Sequence, residues 1–146
     1  QSEPPLRSQQ SVSRLDMREL DPRPHHRRTD GTILTLNGEW SVAILPDDPV
    51  MFPGVFAHTI RVPFPVQAHD GLATKITPFE AVWYRKQLLL PSEWLTSADR
   101  LLLHVDACDW ECTFFLNRRM IGSHSGAYDP FVFDITDLLR RVLNAE

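Results

Sequence analysis

The sequence predicts an all-β fold arranged as a β-sandwich. Apolar residues recur at every second position in short runs, which is the period of a strand with one buried face. Proline and glycine separate these runs and occur 12 and 6 times among 146 residues. Little of the chain has a helical period. Short strands joined by such turns are typical of sandwiches and barrels.

Length and composition fit one ordinary domain. A chain of 146 residues, of which 42% are hydrophobic, can bury a single core. Residues 1–30 contain four prolines and no sustained period, so we expect an extended arm there and the sandwich at residues 31–146. A (β/α)8 barrel needs about 250 residues. The chain is therefore too short to contain one.

Charge and hydropathy make several partners improbable. The formal net charge is -4 and the isoelectric point is near 5.8, whereas nucleic-acid-binding domains usually have a clustered basic face. No apolar run approaches the roughly 20 residues of a membrane-spanning helix. We therefore expect no nucleic acid, no membrane and, because no ligand spacing is present, no metal or other cofactor. Both a cytoplasmic location and secretion after removal of a signal peptide stay open.

Three strands are predicted in the first part of the chain. Each is a short apolar run that ends at proline, which cannot donate a hydrogen bond to a β-ladder. The runs are residues 40–44, 59–62 and 82–90. Between the last two, residues 67–78 are polar and contain glycine, so we expect a long loop.

The second part of the chain begins with a helical turn. Residues 91–94 (PSEW) predict this single turn, and residues 101–106 predict a half-buried strand with Leu101, Leu103 and Val105 on its inner face. A further strand runs to Leu116. A tight turn at residues 117–118 then leads into the next strand.

A short amphipathic helix is predicted near the end of the sequence. Phe131 and Phe133 lead into it, and either Asp134 or Thr136 can cap its first turn, because both side chains accept hydrogen bonds from backbone N–H groups. The helix would contain three leucines, Leu138, Leu139 and Leu143.

The four tryptophans are expected in the core or at its edge. Trp110, Cys112, Phe114 and Leu116 alternate along one predicted strand and should share a buried face. Trp40, Trp83, Tyr84 and Trp94 also lie in apolar runs. The alternative is a platform on which sugar rings stack, and this would require an exposed, coplanar pair of rings.

The two cysteines are expected to be free thiols. Cys108 and Cys112 would lie ~13 Å apart along an extended strand, too far for a disulfide unless the chain turns between them. A disulfide is the alternative. A zinc site is disfavoured, because no second pair of cysteine or histidine residues has ligand spacing.

Six short segments carry the most specific pattern in the chain. They are residues 36–40 (LNGEW), 62–65 (VPFP), 82–86 (VWYRK), 105–109 (VDACD), 115–117 (FLN) and 126–131 (GAYDPF). Each is common alone, but their order and spacing resemble the N-terminal, sugar-binding-like domain of family 2 glycoside hydrolases. The resemblance implies a jelly-roll-like, galactose-binding-domain-like sandwich. The family includes β-galactosidases, β-glucuronidases and β-mannosidases.

The chain departs from the family pattern at two turns. Asn117-Arg118 stands where the family has Asn-Gly, and a left-handed conformation costs Arg about 1–2 kcal/mol more than Gly. We therefore expect a different type of turn. Gly126-Ala127 stands where the family has two glycines, so Ala127 should not require a positive φ.

The resemblance implies a non-catalytic domain of an enzyme that hydrolyses β-linked glycosides. Retaining hydrolysis uses two carboxylates about 5–5.5 Å apart, and the resemblance places both in a barrel that this chain lacks. We therefore assign no catalytic residue, interpret Asp106 and Asp109 as structural or solvent-facing, and expect the chain alone to be inactive. The implied partners are that barrel, an immunoglobulin-like domain and a carbohydrate substrate. Because the sandwich would be incomplete at its C-terminal end, we expect exposed strand edges.

Two other functions stay open for the chain. One is an independent, lectin-like carbohydrate-binding module. The other is a structural domain that contacts neighbouring domains or subunits, with a homo-oligomer as one outcome. An exposed apolar surface on residues 123–131 would favour the structural role.

Two loops contain the candidate site residues. His69 and Asp70 can bond to sugar hydroxyls, although an ordinary Asp-Gly turn with Gly71 is the alternative. In the second loop, His124 and Tyr128 are candidates for substrate contact, since aromatic rings pack on the C–H face of a pyranose. The resemblance instead favours packing of this loop on the barrel. Gly126, Pro130 and Phe131 are the candidates for that contact.

Overall fold

A computed structural model describes residues 33–47, 51–69, 72 and 76–143. The predicted arm at residues 1–30 lies outside the described residues. The chain divides into two compact units, one up to Gln87 and the other from Leu88. Each is described by itself. Within the described ranges, seven strands pair antiparallel and helix is limited to short segments. This confirms the all-β prediction and fits a sandwich.

The first unit contains a three-stranded antiparallel sheet. Its strands are β1 (Gly38–Pro46), β2 (His58–Val62) and β3 (Glu80–Arg85), in the order β2-β1-β3. The predicted strands at residues 40–44 and 59–62 are confirmed. The predicted strand at residues 82–90 is too long at its C-terminal end, because the ladder between β1 and β3 stops at the Ser41–Arg85 pair.

Alternation along β1 places its even-numbered side chains in the core of this unit. Val42 is fully buried and packs with Ile60, Val66 and Leu72. Trp40 lies opposite Ile60 and donates its indole N–H to the Leu36 carbonyl at 2.7 Å. Burial of one such aliphatic side chain contributes about 1.5–3 kcal/mol.

The opposite face of the sheet also carries aromatic residues. Trp83, opposite Ala43 in the ladder, packs against the Phe52 ring with centroids 5.1 Å apart. The Arg85 guanidinium lies 4.1 Å from the centroid of the Phe56 ring, a favourable cation–π distance. Tyr84 pairs with Val42 in the ladder but is 43% exposed, so its expected place in the core or at its edge is wrong. Partial burial nevertheless raises the pKa of its hydroxyl.

The second unit combines two strand pairs with two short helices. Strand β4 (Leu102–Val105) pairs with β7 (Phe131–Asp134), and β5 (Glu111–Leu116) pairs with β6 (Arg119–Ser125). The helices are α1 (Ser92–Ser97) and α2 (Thr136–Leu143). The predicted helical turn is confirmed as the start of α1. The predicted strand at residues 101–106 is confirmed as β4.

The core of the second unit consists of Leu101, Ile135 and Leu139. Trp94 of α1 and Leu103 of β4 pack against these residues, which confirms the predicted inner face of β4. Alternating burial along β4 leaves Leu102 and His104 exposed. Both helices therefore contribute to one apolar cluster, and side chains of the strands pack against the same cluster.

A polar junction fixes the start of α2. Asp134 accepts hydrogen bonds from the Thr136 backbone N–H at 3.1 Å and from its hydroxyl at 2.5 Å, and Arg100 donates to the other carboxylate oxygen at 2.9 Å. The buried Thr136 hydroxyl oxygen accepts the Leu101 N–H at 2.8 Å. The capping prediction is confirmed, with Asp134 as the acceptor. The same contacts lower the pKa of Asp134 to about 2.

The turn between β5 and β6 corrects one expectation. Asn117 has φ 48° and Arg118 has φ 67°, so both central residues are left-handed, as in a type I′ turn. The prediction of another turn type is wrong. Leu116 pairs directly with Arg119, and a two-residue connection needs the twist that this turn supplies. Ala127 has no positive φ, which confirms that expectation.

An aromatic cluster joins β5 to β7. The Phe114, Phe131 and Phe133 rings have centroids 5.2–5.5 Å apart, in tilted or edge-to-face arrangements. Aromatic pairs of this geometry contribute about 0.5–1.5 kcal/mol beyond their buried area. Gly122 of β6 lies under the Phe133 ring, and a Cβ atom there would overlap Phe133 Cε1. The cluster therefore requires glycine at this position.

Gly122→Ala should destabilise the protein. The added methyl group would force Phe133 out of the cluster, and overpacking of this kind costs about 1–3 kcal/mol. Urea unfolding followed by circular dichroism measures the loss. Gly54→Ala is the matched control, since no atom lies within 4 Å of its added Cβ. Equal stability of the two variants would contradict the packing described.

Asp134→Asn should change the acid limb of stability. The folded pKa of Asp134 is about 2, below its usual value of 3.8, because the ionised form accepts hydrogen bonds first from Thr136 and then from Arg100. Its contribution is therefore present above pH 3.8 and is lost as the pH falls through 2. The difference in Tm between wild type and Asp134→Asn should shrink across this window. The Arg100→Gln variant should keep the larger part of this pH dependence. A Tm difference between wild type and Asp134→Asn that does not change with pH would contradict the assigned role of Asp134.

Candidate functional site

His69 ties the loop after β2 to the strand itself. The Nε2 atom of its imidazole accepts a hydrogen bond from the Arg61 backbone N–H at 3.2 Å. The backbone N–H of His69 donates to the Val66 carbonyl, and the His69 carbonyl accepts the backbone N–H of Leu72. The 3-10 turn Val66–Ala68 precedes it. Asp70, the other candidate of this loop, lies outside the described residues.

His124 lies within the aromatic cluster. It is on β6 opposite Cys112, and its ring stacks on Phe131 with centroids 4.0 Å apart and planes 19° apart. Its Nε2 is buried and has no hydrogen-bond partner among the described residues. The stacked rings of His124 and Phe131 therefore lie at the base of the loop at residues 126–130, which connects β6 to β7. The structure does not place them together with Tyr128 on one exposed surface.

The loop at residues 126–130, here called the aromatic loop, is exposed at its tip. Tyr128 is 90% exposed, and Asp129 and Pro130 are also exposed. Gly126 has φ 126°, a conformation that L side chains rarely adopt. The Gly126 N–H donates to the Trp110 carbonyl at 2.8 Å. Of the candidate residues in this loop, Tyr128 and Pro130 are thus available to a ligand or partner.

Cys108 and Cys112 form a disulfide, which corrects the expectation of free thiols. Their Cα atoms are 6.4 Å apart, within the range that a disulfide spans. The expectation assumed an extended strand, but residues 106–110 bend and β5 begins only at Glu111. Residues 108–112 are here called the disulfide loop. The sequence signal for this disulfide was the pair of cysteines four positions apart, on either side of Asp109-Trp110.

Trp110 is 68% exposed, so its assignment to the core is wrong. It precedes β5 instead of belonging to it, and the alternation that buries Phe114 therefore does not extend to it. Sequence reasoning did not find it as a candidate site residue. Its position at the centre of a disulfide-closed loop is what separates it from the buried strand residues.

The disulfide loop and the aromatic loop meet at one end of the β5–β6 pair. Glu111 pairs with Ser125 in the ladder, and the Gly126–Trp110 hydrogen bond follows directly. Three exposed carboxylates, those of Asp109, Glu111 and Asp129, lie on these loops. Two exposed aromatic rings and these carboxylates thus belong to one end of the hairpin.

The described part of the chain contains neither a candidate metal-binding group nor a helix that could span a membrane. Among those residues, no three His, Cys, Asp or Glu side chains form a group that could hold a metal ion. No helix there has the length and apolarity needed to cross a membrane.

The chain is similar to part of two β-glucuronidases. It is 31% identical over 124 residues to the β-glucuronidase of Bacteroides fragilis, a match that covers 80% of this chain and 15% of that protein. It is 30% identical over 60 residues to the β-glucuronidase of Rattus norvegicus, covering 40% of this chain and 9% of that protein. No protein-family model matches the chain.

These similarities identify relatives that are much longer than this chain. The matched part is 15% of the length of the bacterial enzyme and 9% of the length of the rat enzyme. The chain is therefore related in sequence to a segment of glycoside-hydrolysing enzymes. Its length is that of one part of such a protein.

His124→Phe should stabilise the second unit. The substitution keeps an aromatic ring stacked on Phe131 and removes a buried nitrogen that has no described partner, whose desolvation costs about 1–3 kcal/mol. We expect the free energy of unfolding to rise by about 1 kcal/mol, measured by urea denaturation. His104→Phe, at an exposed position of β4, is the control and should change little. A loss of stability in His124→Phe would contradict the absence of a hydrogen bond at Nε2.

Proposed function

We propose that the chain is the non-catalytic N-terminal domain of a family 2 glycoside hydrolase. In this role it supports the hydrolysis of β-linked glycosides as part of a longer protein. The observation that carries the proposal is the match of 80% of this chain to 15% of a β-glucuronidase. The six ordered segments from residue 36 to residue 131 support the same family, and its known domain order supports the N-terminal position.

Four of the described carboxylates support a non-catalytic role. A glycosidase acid needs a raised pKa so that it is protonated near neutral pH. The pKa of Asp134 moves in the opposite direction, because Thr136 and Arg100 stabilise its ionised form. Asp109, Glu111 and Asp129 lie on exposed loops, where water has free access. The catalytic pair is therefore proposed to belong to another domain of the longer protein.

The exposed loops are the proposed contact surface with the remainder of that protein. Pro130 and Tyr128 lie at the tip of the aromatic loop, and Phe131 anchors its end in the cluster with Phe114. A rigid loop on a packed support suits interdomain contact, because little conformational entropy is lost when it is covered. His69 is proposed to hold its own loop in shape, with Asp70 as the candidate for sugar contact.

An independent carbohydrate-binding module is the second candidate function. The surface of residues 123–131 is mostly polar with one exposed ring, Tyr128, rather than a broad apolar face. The broad apolar face that would favour a purely structural role is therefore not found on these described residues. Exposed Trp110 on the adjoining disulfide loop favours the carbohydrate-binding module.

The proposed function is tested by activity with and without a catalytic domain. The purified 146-residue chain should release no nitrophenol from nitrophenyl β-glucuronide, β-galactoside or β-mannoside. Replacement of the matching segment of the Bacteroides fragilis enzyme by this chain should retain β-glucuronide hydrolysis, whereas deletion of that segment should abolish it. Robust turnover by the isolated chain would refute the non-catalytic role. A chimaera as inactive as the deletion would refute the family role.

A further inference from the structure

We propose that a recess on the three-stranded sheet of the first unit binds the oxyanion group of a small hydroxylated ligand, either a sugar acid or a sugar phosphate. The recess has a volume of about 320 Å³ and is lined by residues of all three strands and of the segment that follows β3. The residues that carry the argument are Glu39, Ser41, Thr59, Arg85, Lys86 and Gln87. The inference does not depend on the proposed function, because it uses only the geometry and charges of this unit.

The strand register places three of these side chains in one row on one face of the sheet. Ser41 of β1 lies directly opposite Thr59 of β2 and directly opposite Arg85 of β3. Residues that are directly opposite in an antiparallel ladder point to the same face, with Cβ atoms about 4.5–5.5 Å apart. Two hydroxyl groups and one guanidinium on neighbouring strands therefore line the same recess.

The Arg85 side chain is held in place by an aromatic ring. Its guanidinium lies 4.1 Å from the centroid of the Phe56 ring, a distance at which the cation and the ring attract each other. In the described part of the chain Arg85 forms no ion pair, so its N–H groups are not committed to a carboxylate there. The planar fork of a guanidinium matches the oxygens of a carboxylate or a phosphate.

Lys86 lies just beyond the point where the β1–β3 ladder stops. The last pair is Ser41–Arg85, and the Lys86 Nζ donates to the Glu39 carbonyl at 3.0 Å and to the Asn37 carbonyl at 3.4 Å. These hydrogen bonds fix the ammonium group beside the recess. They leave its charge in place, because both acceptors are neutral carbonyls, and an ammonium group has three donors.

The charges and hydrogen-bonding groups of the recess determine the class of ligand. Arg85 and Lys86 contribute two positive charges. Glu39 contributes one negative charge, and Arg61 lies directly opposite it in the β1–β2 ladder, so the recess attracts an anionic group. Glu39 and Gln87 also supply acceptor oxygens for hydroxyl groups. A ligand with one oxyanion and several hydroxyls uses both kinds of group, whereas an inorganic anion uses only the cations.

A purely structural role for both cations is the rival interpretation. Arg85 would then serve only to cover Phe56, and Lys86 only to bind the carbonyls at the end of the ladder. Neither contact neutralises a charge, and neither fills the recess of about 320 Å³. Small-molecule sites have volumes of roughly 300–1,000 Å³, so the recess suits a ligand the size of one sugar ring. The geometry therefore favours a binding site.

The test measures binding by titration of the folded, ¹⁵N-labelled chain. D-glucuronate and glucose 6-phosphate are the two anionic sugars, D-glucose lacks the anion, and inorganic phosphate lacks the hydroxyls. We expect saturable shifts of the Ser41 and Thr59 amide resonances with at least one anionic sugar. Glucose and inorganic phosphate should each bind about tenfold more weakly or worse, because each loses one set of hydrogen bonds. The tighter anionic sugar shows whether the recess takes a carboxylate or a phosphate.

Single substitutions locate the binding to the recess. Arg85→Gln should weaken binding of the tighter anionic sugar by about tenfold, because charge-assisted hydrogen bonds are lost. Arg85→Lys should recover only part of the affinity, since an ammonium group keeps the charge but lacks the planar fork. Arg119→Gln is the matched control, because it removes one exposed cation from β6, outside the recess, and should leave affinity unchanged.

A second variant tests the recess without altering the cation–π contact. Ser41→Ala removes a hydroxyl group from the centre of the row and should also weaken binding of the anionic sugar, because one hydrogen-bond donor is lost. A wild-type Tm, measured by circular dichroism, shows that each variant is folded.

Four outcomes would overturn the binding site. They are no saturable shift with either anionic sugar, glucose or inorganic phosphate binding as tightly as the better anionic sugar, wild-type affinity in both Arg85→Gln and Ser41→Ala, and equal losses of affinity in Arg85→Gln and Arg119→Gln. The result is separable from the proposed function. Binding of an anionic sugar with an inactive chimaera would refute the family role alone, and an active chimaera without binding would refute the recess alone.

Discussion

The aromatic cluster of Phe114, Phe131 and Phe133 is the contact on which the second unit depends. It joins a strand of the β5–β6 pair to a strand of the β4–β7 pair, and neither two-stranded pair alone would be stable in water. Gly122 permits the close approach of Phe133. The cluster also extends through the His124 stack to the base of the aromatic loop. Packing in the interior thus supports the base of the aromatic loop.

Alternation and proline placement were enough to predict most of the fold. The runs around Val42, Ile60 and Leu103 are strands with the expected buried faces, since burial of one face imposes a period of two. The cap at Asp134 could also be predicted from the sequence, because a short side chain with an acceptor oxygen before an amphipathic run favours the start of a helix. The C-terminal end of β3 could not be predicted from the sequence, because it depends on the residue at which β1 stops pairing with β3.

The candidate site was predicted less completely than the fold. Sequence reasoning selected the loop that carries Tyr128 but grouped it with His124, whose ring turns into the cluster. It placed Trp110 in the core and left both cysteines unpaired, because it treated residues 108–112 as one extended strand. A local bend overturns both of these assignments, that of Trp110 and that of the cysteines. Loops of this kind follow from tertiary contacts such as the Gly126–Trp110 hydrogen bond, which local pattern does not encode.

His69 has a consequence for association between chains. Among the described residues, strand β2 is one of the two outer strands of its sheet, and outer strands offer N–H groups on which a foreign strand can assemble. The Arg61 N–H is already taken by the imidazole of His69, so that position cannot nucleate cross-chain pairing. The loop after β2 thereby covers one hydrogen-bonding position of this strand edge.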